Sequence, residues 1–358
     1  MRKMAMFLIC LVLLTVPVSA METAERFGAD ELESNLPSAA DTYLDGSPTE
    51  KRDFAEGVTE IISGTLSESG SYFRASMSLL MRILLIILLC RFLETKEHPL
   101  SGQAAAMAGV LAITVCCAGD LRTMIGLGKQ TMDEMTNFST LLLPVMASAA
   151  AASGSVTGAG ALYGAAAIFS RVLMGFCNGV LFPVIYAYLA LGVADGAMGE
   201  TRLKKLGELL SWMVKWGLKA VMYVFTGFIA VTGLLSGHVD ATALKAAKVT
   251  LSGVVPVVGG IVSDAAETVL YSAGLLKGTV GTFGMLAFLA VFAAPFLRVG
   301  LHYLAFKLTA ALGGLVGSSL CGFMDCVTNV MGFLLAMLGS CVLMCLISCC
   351  CFMRMVGI

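Results

Sequence analysis

Charged residues are scarce in this 358-residue chain, where they make up 13% of the sequence, against roughly 25% in soluble domains. Histidine and tryptophan are also rare, with three and two copies. Apolar residues reach 58%, and long apolar runs recur from Met77 to the C-terminus. These shortages exclude a water-soluble core of ordinary size. They predict an all-α, polytopic membrane protein surrounded by a lipid bilayer.

Motifs for enzyme or nucleotide chemistry are missing from the sequence as well. It contains no Walker loop, no dinucleotide-binding glycine pattern after a strand and no His-Glu-x-x-His. The three histidines, His98, His238 and His302, are scattered, and no basic stripe alternates with aromatic residues. We therefore expect no enzyme activity, no cofactor, no metal site and no binding to nucleic acid.

The first 20 residues have the three parts of a secretory signal peptide. Arg2 and Lys3 provide the positive end, residues 6–16 the apolar core, and residues 18–20 the small-residue cleavage site. The alternative is an uncleaved signal anchor, but this apolar run is short against the roughly 20 residues that span a bilayer. The mature chain is thus predicted to begin near Met21.

Residues 21–76 form an acidic segment with twelve acidic and four basic residues, which the signal peptide would place outside the cytoplasm. Within it, residues 47–50 (SPTE) have the pattern of a capping box with proline at the first helical position. An amphipathic helix is predicted to follow, lying on the membrane or a partner, or packed against the protein's own outer face. Its apolar face would comprise Phe54, Val58, Ile61, Ile62 and Leu66.

Residues 77–358 are predicted to form a membrane domain with six to nine spans, some of them Pro/Gly-broken or re-entrant. Residues 120–137 are too charged to span and read as an interfacial helix. Basic residues at 91–96, 202–219, 298 and 354 would face the cytoplasm. The predicted spans are 77–93, 103–119, 138–153, two within 162–193, 218–235, 282–297, 301–316 and 331–353.

The stretch 251–276 (LSGVVPVVGGIVSDAAETVLYSAGLL) combines an apolar run with helix breakers and two acids. Asp264 and Glu267 are three residues apart, which puts both carboxylates on one face of a helix. Lining a membrane cavity, they would form a proton or cation site. At the outer surface they would be ordinary solvated charges, and a nearby lysine would make them structural.

An earlier stretch has a related pattern, because Pro144 precedes a tract of small residues. Broken helices at 141–160 and 251–276 would resemble the discontinuous helices that carry binding sites in transporters. The candidate ion or helix-break site therefore comprises Pro144, Gly154, Pro256, Gly259, Gly260, Asp264 and Glu267.

Small and polar residues inside the apolar runs point to helix packing. Eleven of the twelve cysteines lie in or beside apolar spans, where cysteine acts mostly as a small, soft hydrophobe. Glycine pairs four residues apart, such as Gly192 and Gly196, allow helices to approach closely. Arg171 lies deep in an apolar run and needs a partner, for which Asp195 is the candidate.

The region 218–316 resembles the stage III sporulation protein AE family, above all in VVPVVGGIVSDAAETVL and APFLRVGLHYLAFKLTAAL. LLLPVMASAAAASG at 141–154 is similar to that family's earlier proline-containing segment. The resemblance implies a multi-pass protein of the mother-cell-derived membrane around the forespore. Its implied partners are the other membrane proteins of the stage III sporulation operon, and homo-oligomerisation is left open.

The resemblance further implies a component of a channel or secretion-like complex that joins mother cell and forespore and sustains late forespore gene expression. The alternative is a secondary transporter or permease that uses the broken helices at 141–160 and 251–276. No catalytic residue follows from the resemblance. The candidate site therefore rests on membrane physics alone.

Overall fold

The computed structural model describes Leu32 and residues 35–44, 53–93, 99–152, 156–198, 202–231, 279–316 and 320–355. Every regular element among these residues is helical, which confirms the all-α prediction. The elements are α1 (Ser38–Asp41), α2 (Phe54–Leu93), α3 (Pro99–Ala152), α4 (Val156–Phe176), a π-helical segment (Cys177–Leu181), α5 (Phe182–Met198), α6 (Arg202–Val231), α7 (Thr279–Val316) and α8 (Cys321–Met355).

Six helices in this described part are long and apolar enough to cross a membrane. Six is the lower bound of the predicted range. The candidate spans run from 28 to 44 residues, whereas a bilayer core about 30 Å thick needs only about 20 residues. Each helix is therefore longer than a simple crossing requires.

Helix α8 forms the centre of the bundle. It packs against α3, α4, α5, α6 and α7, and 94% of its most apolar 18-residue stretch is buried, against 28–56% for the other five candidate spans. A helix that is apolar all round is suited to such a position. The hydroxyls of Ser340 and Ser348 donate to the carbonyls of Ala336 and Met344, so these polar groups are satisfied inside the core.

The packing role predicted for the cysteines is confirmed. The eleven cysteines in the described part form no disulfide, and eight of them are buried. Cys341, Cys345 and Cys349 follow one another at four-residue steps along α8 and face its neighbours rather than solvent.

Helix α2 joins two predicted elements, the amphipathic helix and the first span, in one run of 40 residues. At its start, the N–H of Ala55 donates to Asp53 Oδ1 at 3.2 Å, as at a capped helix N-terminus. Phe54 and Ile61 are buried, because α7 packs along their side of the helix. Ile62 and Leu66 were expected on the same face but are 52% and 56% exposed.

The prediction of two spans and an interfacial helix within residues 103–153 is wrong. Helix α3 runs through the expected interfacial segment and through Pro144 without ending. Its charged residues between 120 and 134 lie on the exposed and half-buried side. The predicted apolar residues of the segment face the core instead of a membrane surface. All of them are buried: Leu121, Met124, Ile125, Met132 and Met135.

Residues 156–198 also form one helical path where two spans were predicted. The expected turn near Pro183 is instead a π-helical segment, in which the N–H of Phe182 donates to the carbonyl of Cys177. Proline lacks an N–H and so removes one regular helical hydrogen bond. The wider π turn absorbs this local change without ending the helix.

Residues 282–316 belong to the single helix α7 rather than to two spans separated by Arg298. The guanidinium of Arg298 lies 5.5 Å from the centre of the Tyr72 ring on α2. A cation over an aromatic face is stabilised by the ring's electrons. The arginine can therefore sit within a helix instead of marking a loop.

Candidate functional site

The polar contacts inside the described bundle concentrate where α5 meets α8. Asn329 on α8 donates from Nδ2 to the hydroxyl oxygen of Tyr188 on α5 at 3.1 Å. The Tyr188 ring also packs edge-on against Phe333, with the ring centres 5.6 Å apart. Cys326 lies one turn before Asn329, and its Sγ is 3.6 Å from the Tyr188 carbonyl oxygen. We call Tyr188, Asp195, Cys326, Asn329 and Phe333 the Tyr188 cluster.

Glycines allow the helices around the Tyr188 cluster to approach one another. A Cβ added at Gly192 would overlap Cys326 Sγ, and one added at Gly196 would lie 2.9 Å from a methyl group of Val110 on α3. Gly207 on α6 faces the Tyr188 ring. The predicted close approach at Gly192 and Gly196 is therefore confirmed, and it brings α3, α5, α6 and α8 together.

Two side chains of the helical path 156–198 have a buried oxygen without a hydrogen-bond partner in the described part of the chain. They are Oδ1 of Asp195 on α5 and Oδ1 of Asn178 in the π-helical segment. The expected pairing of Asp195 with Arg171 is wrong, because Arg171 is exposed and Asp195 Oδ1 has no partner. Asp195 follows Gly192, which packs against Cys326, by about one helical turn.

A buried carboxyl oxygen without a partner is costly, because removal from water is not offset by a hydrogen bond. In membrane proteins such groups often mark proton or ion pathways. Through the Asp195 carboxyl group, the Tyr188 cluster can therefore hold a proton or accept a hydrogen bond from a partner protein. Lys215 on α6 adjoins the cluster, because its Nζ lies 5.9 Å from the centre of the Phe333 ring.

A second polar contact joins α2 to α7. His302 and Ser76 are both buried, and His302 Nδ1 lies 3.1 Å from Ser76 Oγ and 2.9 Å from the carbonyl oxygen of Arg298. This contact ties the two helices together inside the core. Across the described residues, no group of three His, Cys, Asp or Glu side chains has the arrangement of a metal site.

Of the residues in the sequence-predicted site, Pro144 lies in the described part of the chain. Pro144 lies inside α3, which continues to Ala152, so the helix break expected there is not found. Flanking packing explains this continuity, since Leu142, Leu143, Val145 and Met146 are all buried. The remaining predicted residues lie outside the described part of the chain: Gly154, Pro256, Gly259, Gly260, Asp264 and Glu267.

Replacing Tyr188 with Phe is expected to lower the free energy of unfolding by about 0.5–1.5 kcal/mol, because Asn329 Nδ2 loses its acceptor inside the bundle. Unfolding of the detergent-solubilised protein measures this change. Combining Tyr188→Phe with Asn329→Leu should cost less than the two single changes together. Strict additivity of the two losses would contradict the contact.

Comparisons with known proteins place the chain among sporulation proteins. The family model described as stage III sporulation protein AE matches residues 44–355. A protein of Bacillus subtilis (strain 168), named stage III sporulation protein AE, is 23% identical over 249 residues, which cover 66% of this chain and 61% of that protein. The chain thus spans somewhat less than two thirds of that relative's length. No solved structure matches it.

Proposed function

Because this chain belongs to the stage III sporulation protein AE family, we propose that it is a component of a channel or secretion-like complex between mother cell and forespore. In this role it is needed for late forespore gene expression. Its partners are the other membrane proteins of the stage III sporulation operon. It is embedded in the mother-cell-derived membrane around the forespore.

The observation that carries this proposal is the filled centre of the bundle. Helix α8 occupies the position that a pore through one chain would need. The space between α3, α4 and α8 beside Met132, Ser170 and Cys345 is too narrow for a water molecule. This packing favours a wall or scaffold role, in which a channel forms between this chain and other subunits.

Large apolar side chains on the outside of the bundle support the same role. Leu85, Leu89, Phe92 and Val115 are among those more than half exposed. Exposed apolar surface on this scale fits contact with lipid and with partner helices. A chain of this kind can be covered on one side by the bilayer and on the other by further subunits.

Deletion of the gene in a spore-forming host, followed by complementation, tests this function. We expect deletion to abolish a late forespore reporter. The complementing protein should concentrate in the membrane around the forespore and co-purify with the operon's other membrane proteins. Normal late reporter expression in the deletion strain would refute the proposal.

A transporter is the second candidate, and the buried Oδ1 of Asp195 favours it. Transport coupled to protons or cations would require this carboxyl or the pair Asp264 and Glu267. Asp195→Asn, and separately Asp264→Asn with Glu267→Gln, distinguishes the two functions. If the protein is a transporter, these variants should lose substrate uptake while the complex still assembles. If it is a scaffold, they should keep both late reporter expression and assembly.

We also propose that residues 1–20 are a cleaved leader, that residues 21–76 face the space between the two membranes, and that residues 77–358 form the membrane domain. Residues 21–76 contain only four basic residues, which supports this orientation because Lys- and Arg-rich segments tend to stay on the cytoplasmic side. N-terminal sequencing of the mature protein tests the cleavage. Alkaline phosphatase fused after residue 45 tests the side: activity supports the orientation and inactivity contradicts it.

A further inference from the structure

Both tryptophans of the chain lie on one exposed turn of α6. Trp212 and Trp216 are 56% and 58% exposed, and their rings stack with centres 5.8 Å apart and planes 17° from parallel. They lie opposite the buried side of the helix, formed by Val214, Leu218 and Phe225. The pair therefore faces away from the rest of the described bundle.

Around this pair, α6 presents two different surfaces. At 100° per residue, Lys204 and Lys219 fall on one side of the tryptophans, while Leu209 and Met213 fall on the other. Lys205 is exposed in line with the pair, about two turns before Trp212 and about three turns before Trp216. The exposed face of α6 thus divides into a cationic and an apolar half, with the stacked indoles at the boundary.

The composition of α6 also changes along its length. Charged residues occur up to Lys219, and residues 220–231 carry none. Tryptophan is enriched where a helix passes from the headgroup layer into the hydrocarbon core, and lysine extends its amine from there toward the headgroups. The tryptophan pair lies close to this transition.

Charge complementarity decides what covers this surface. Lysine is depleted in the cores of protein interfaces, but clustered lysines beside a membrane span attract anionic lipid. Lys215 is engaged with the Phe333 ring of α8, which leaves Lys204, Lys205 and Lys219 for the outer surface. Glu208 is the one acidic residue of α6, so the face keeps a positive balance.

We propose that Trp212, Trp216, Lys204, Lys205 and Lys219 form a binding surface for anionic phospholipid headgroups at the membrane interface. The indoles anchor α6 at the depth of the headgroups, and the lysines select negatively charged lipids over neutral ones. This surface would hold α6 at a fixed depth while the opposite side of the helix packs against α8.

Native tryptophan fluorescence tests this proposal directly, because the chain has no other tryptophan. The full chain is reconstituted in phosphatidylcholine nanodiscs that contain either brominated phosphatidylglycerol or brominated phosphatidylcholine at equal mole fraction. We expect quenching to show a preference for the anionic lipid of about fivefold or more. High salt should weaken this preference, because it screens the lysines.

The variant Lys204→Gln with Lys205→Gln should reduce the preference about fivefold or more. A matched control with the same charge change, Lys129→Gln with Lys307→Gln, removes exposed lysines from α3 and α7 and should keep it. Equal quenching by both lipids in the unaltered protein would overturn the proposed selectivity. Absence of quenching by either lipid would show that protein covers the pair, and would overturn the lipid site altogether.

Discussion

Replacing Phe288 with Ala is expected to lower the free energy of unfolding by about 3–5 kcal/mol. Phe288 on α7 is fully buried and meets the Phe138 ring of α3 edge-on, with ring centres 5.2 Å apart. Its removal leaves a cavity between two long helices, and the surrounding side chains can fill that space only in part. Unfolding of the detergent-solubilised protein measures the loss.

The matched control is Phe92→Ala at the end of α2, where the ring is 87% exposed. This change removes the same atoms without leaving an internal cavity, so we expect a loss below about 0.5 kcal/mol in detergent. Similar losses for the two variants would contradict the packing of α3 against α7.

A side chain at Gly192 is expected to separate α5 from α8. Gly192→Ala should lower the free energy of unfolding by about 1–3 kcal/mol, because its Cβ would overlap Cys326 Sγ and lie 3.0 Å from Cys326 Cβ. Adding Cys326→Ala should recover part of the loss, since it removes the overlapping sulfur. The same unfolding measurement applies.

Gly175→Ala is the control for this glycine. It lies in α4, and a Cβ there meets no other atom within 4 Å. Alanine has the higher helix propensity, so this change should be neutral or stabilising by up to about 1 kcal/mol. Equal destabilisation by Gly175→Ala and Gly192→Ala would contradict the close contact between α5 and α8 at Gly192.

Several structural features could be predicted from the sequence because they depend on local spacing. The helical period of Leu121, Met124, Ile125, Met132 and Met135 identified the buried face of this part of α3. The four-residue step from Gly192 to Gly196 identified a close helix contact. Both patterns hold because a helix of 3.6 residues per turn puts such positions on one side.

The continuity of the helices could not be predicted in the same way. Charges around residue 120 and at Arg298 indicate segment ends in the sequence, but α3 and α7 run through both. Tertiary contacts decide this outcome, as the ring of Tyr72 beside Arg298 illustrates. Such a contact between an aromatic ring and a distant charged residue cannot be predicted from local sequence spacing.

The central position of α8 could not be predicted from the sequence either. An apolar surface suits lipid and protein neighbours equally well, so composition cannot distinguish a peripheral span from a core helix. The Tyr188 cluster was missed for a similar reason. Tyr188 and Asn329 are 141 residues apart, and single polar residues in apolar runs form no motif.

Helix α8 is the core against which α3, α4, α5, α6 and α7 pack. Ser139 on α3 is buried and lies beside Cys345, which is buried on α8. Ser139→Cys replaces oxygen with sulfur at almost the same shape. It thus introduces a thiol beside Cys345 with little disturbance.

Oxidation of the Ser139→Cys protein in native membranes with a membrane-permeant oxidant, followed by peptide mass spectrometry, is the most direct test. We predict a disulfide between residue 139 and Cys345 in the same chain. Thr140→Cys is the control, because Thr140 is exposed and should not link to Cys345. Failure of residue 139 to link, while both thiols react with a permeant maleimide, would contradict the central position of α8.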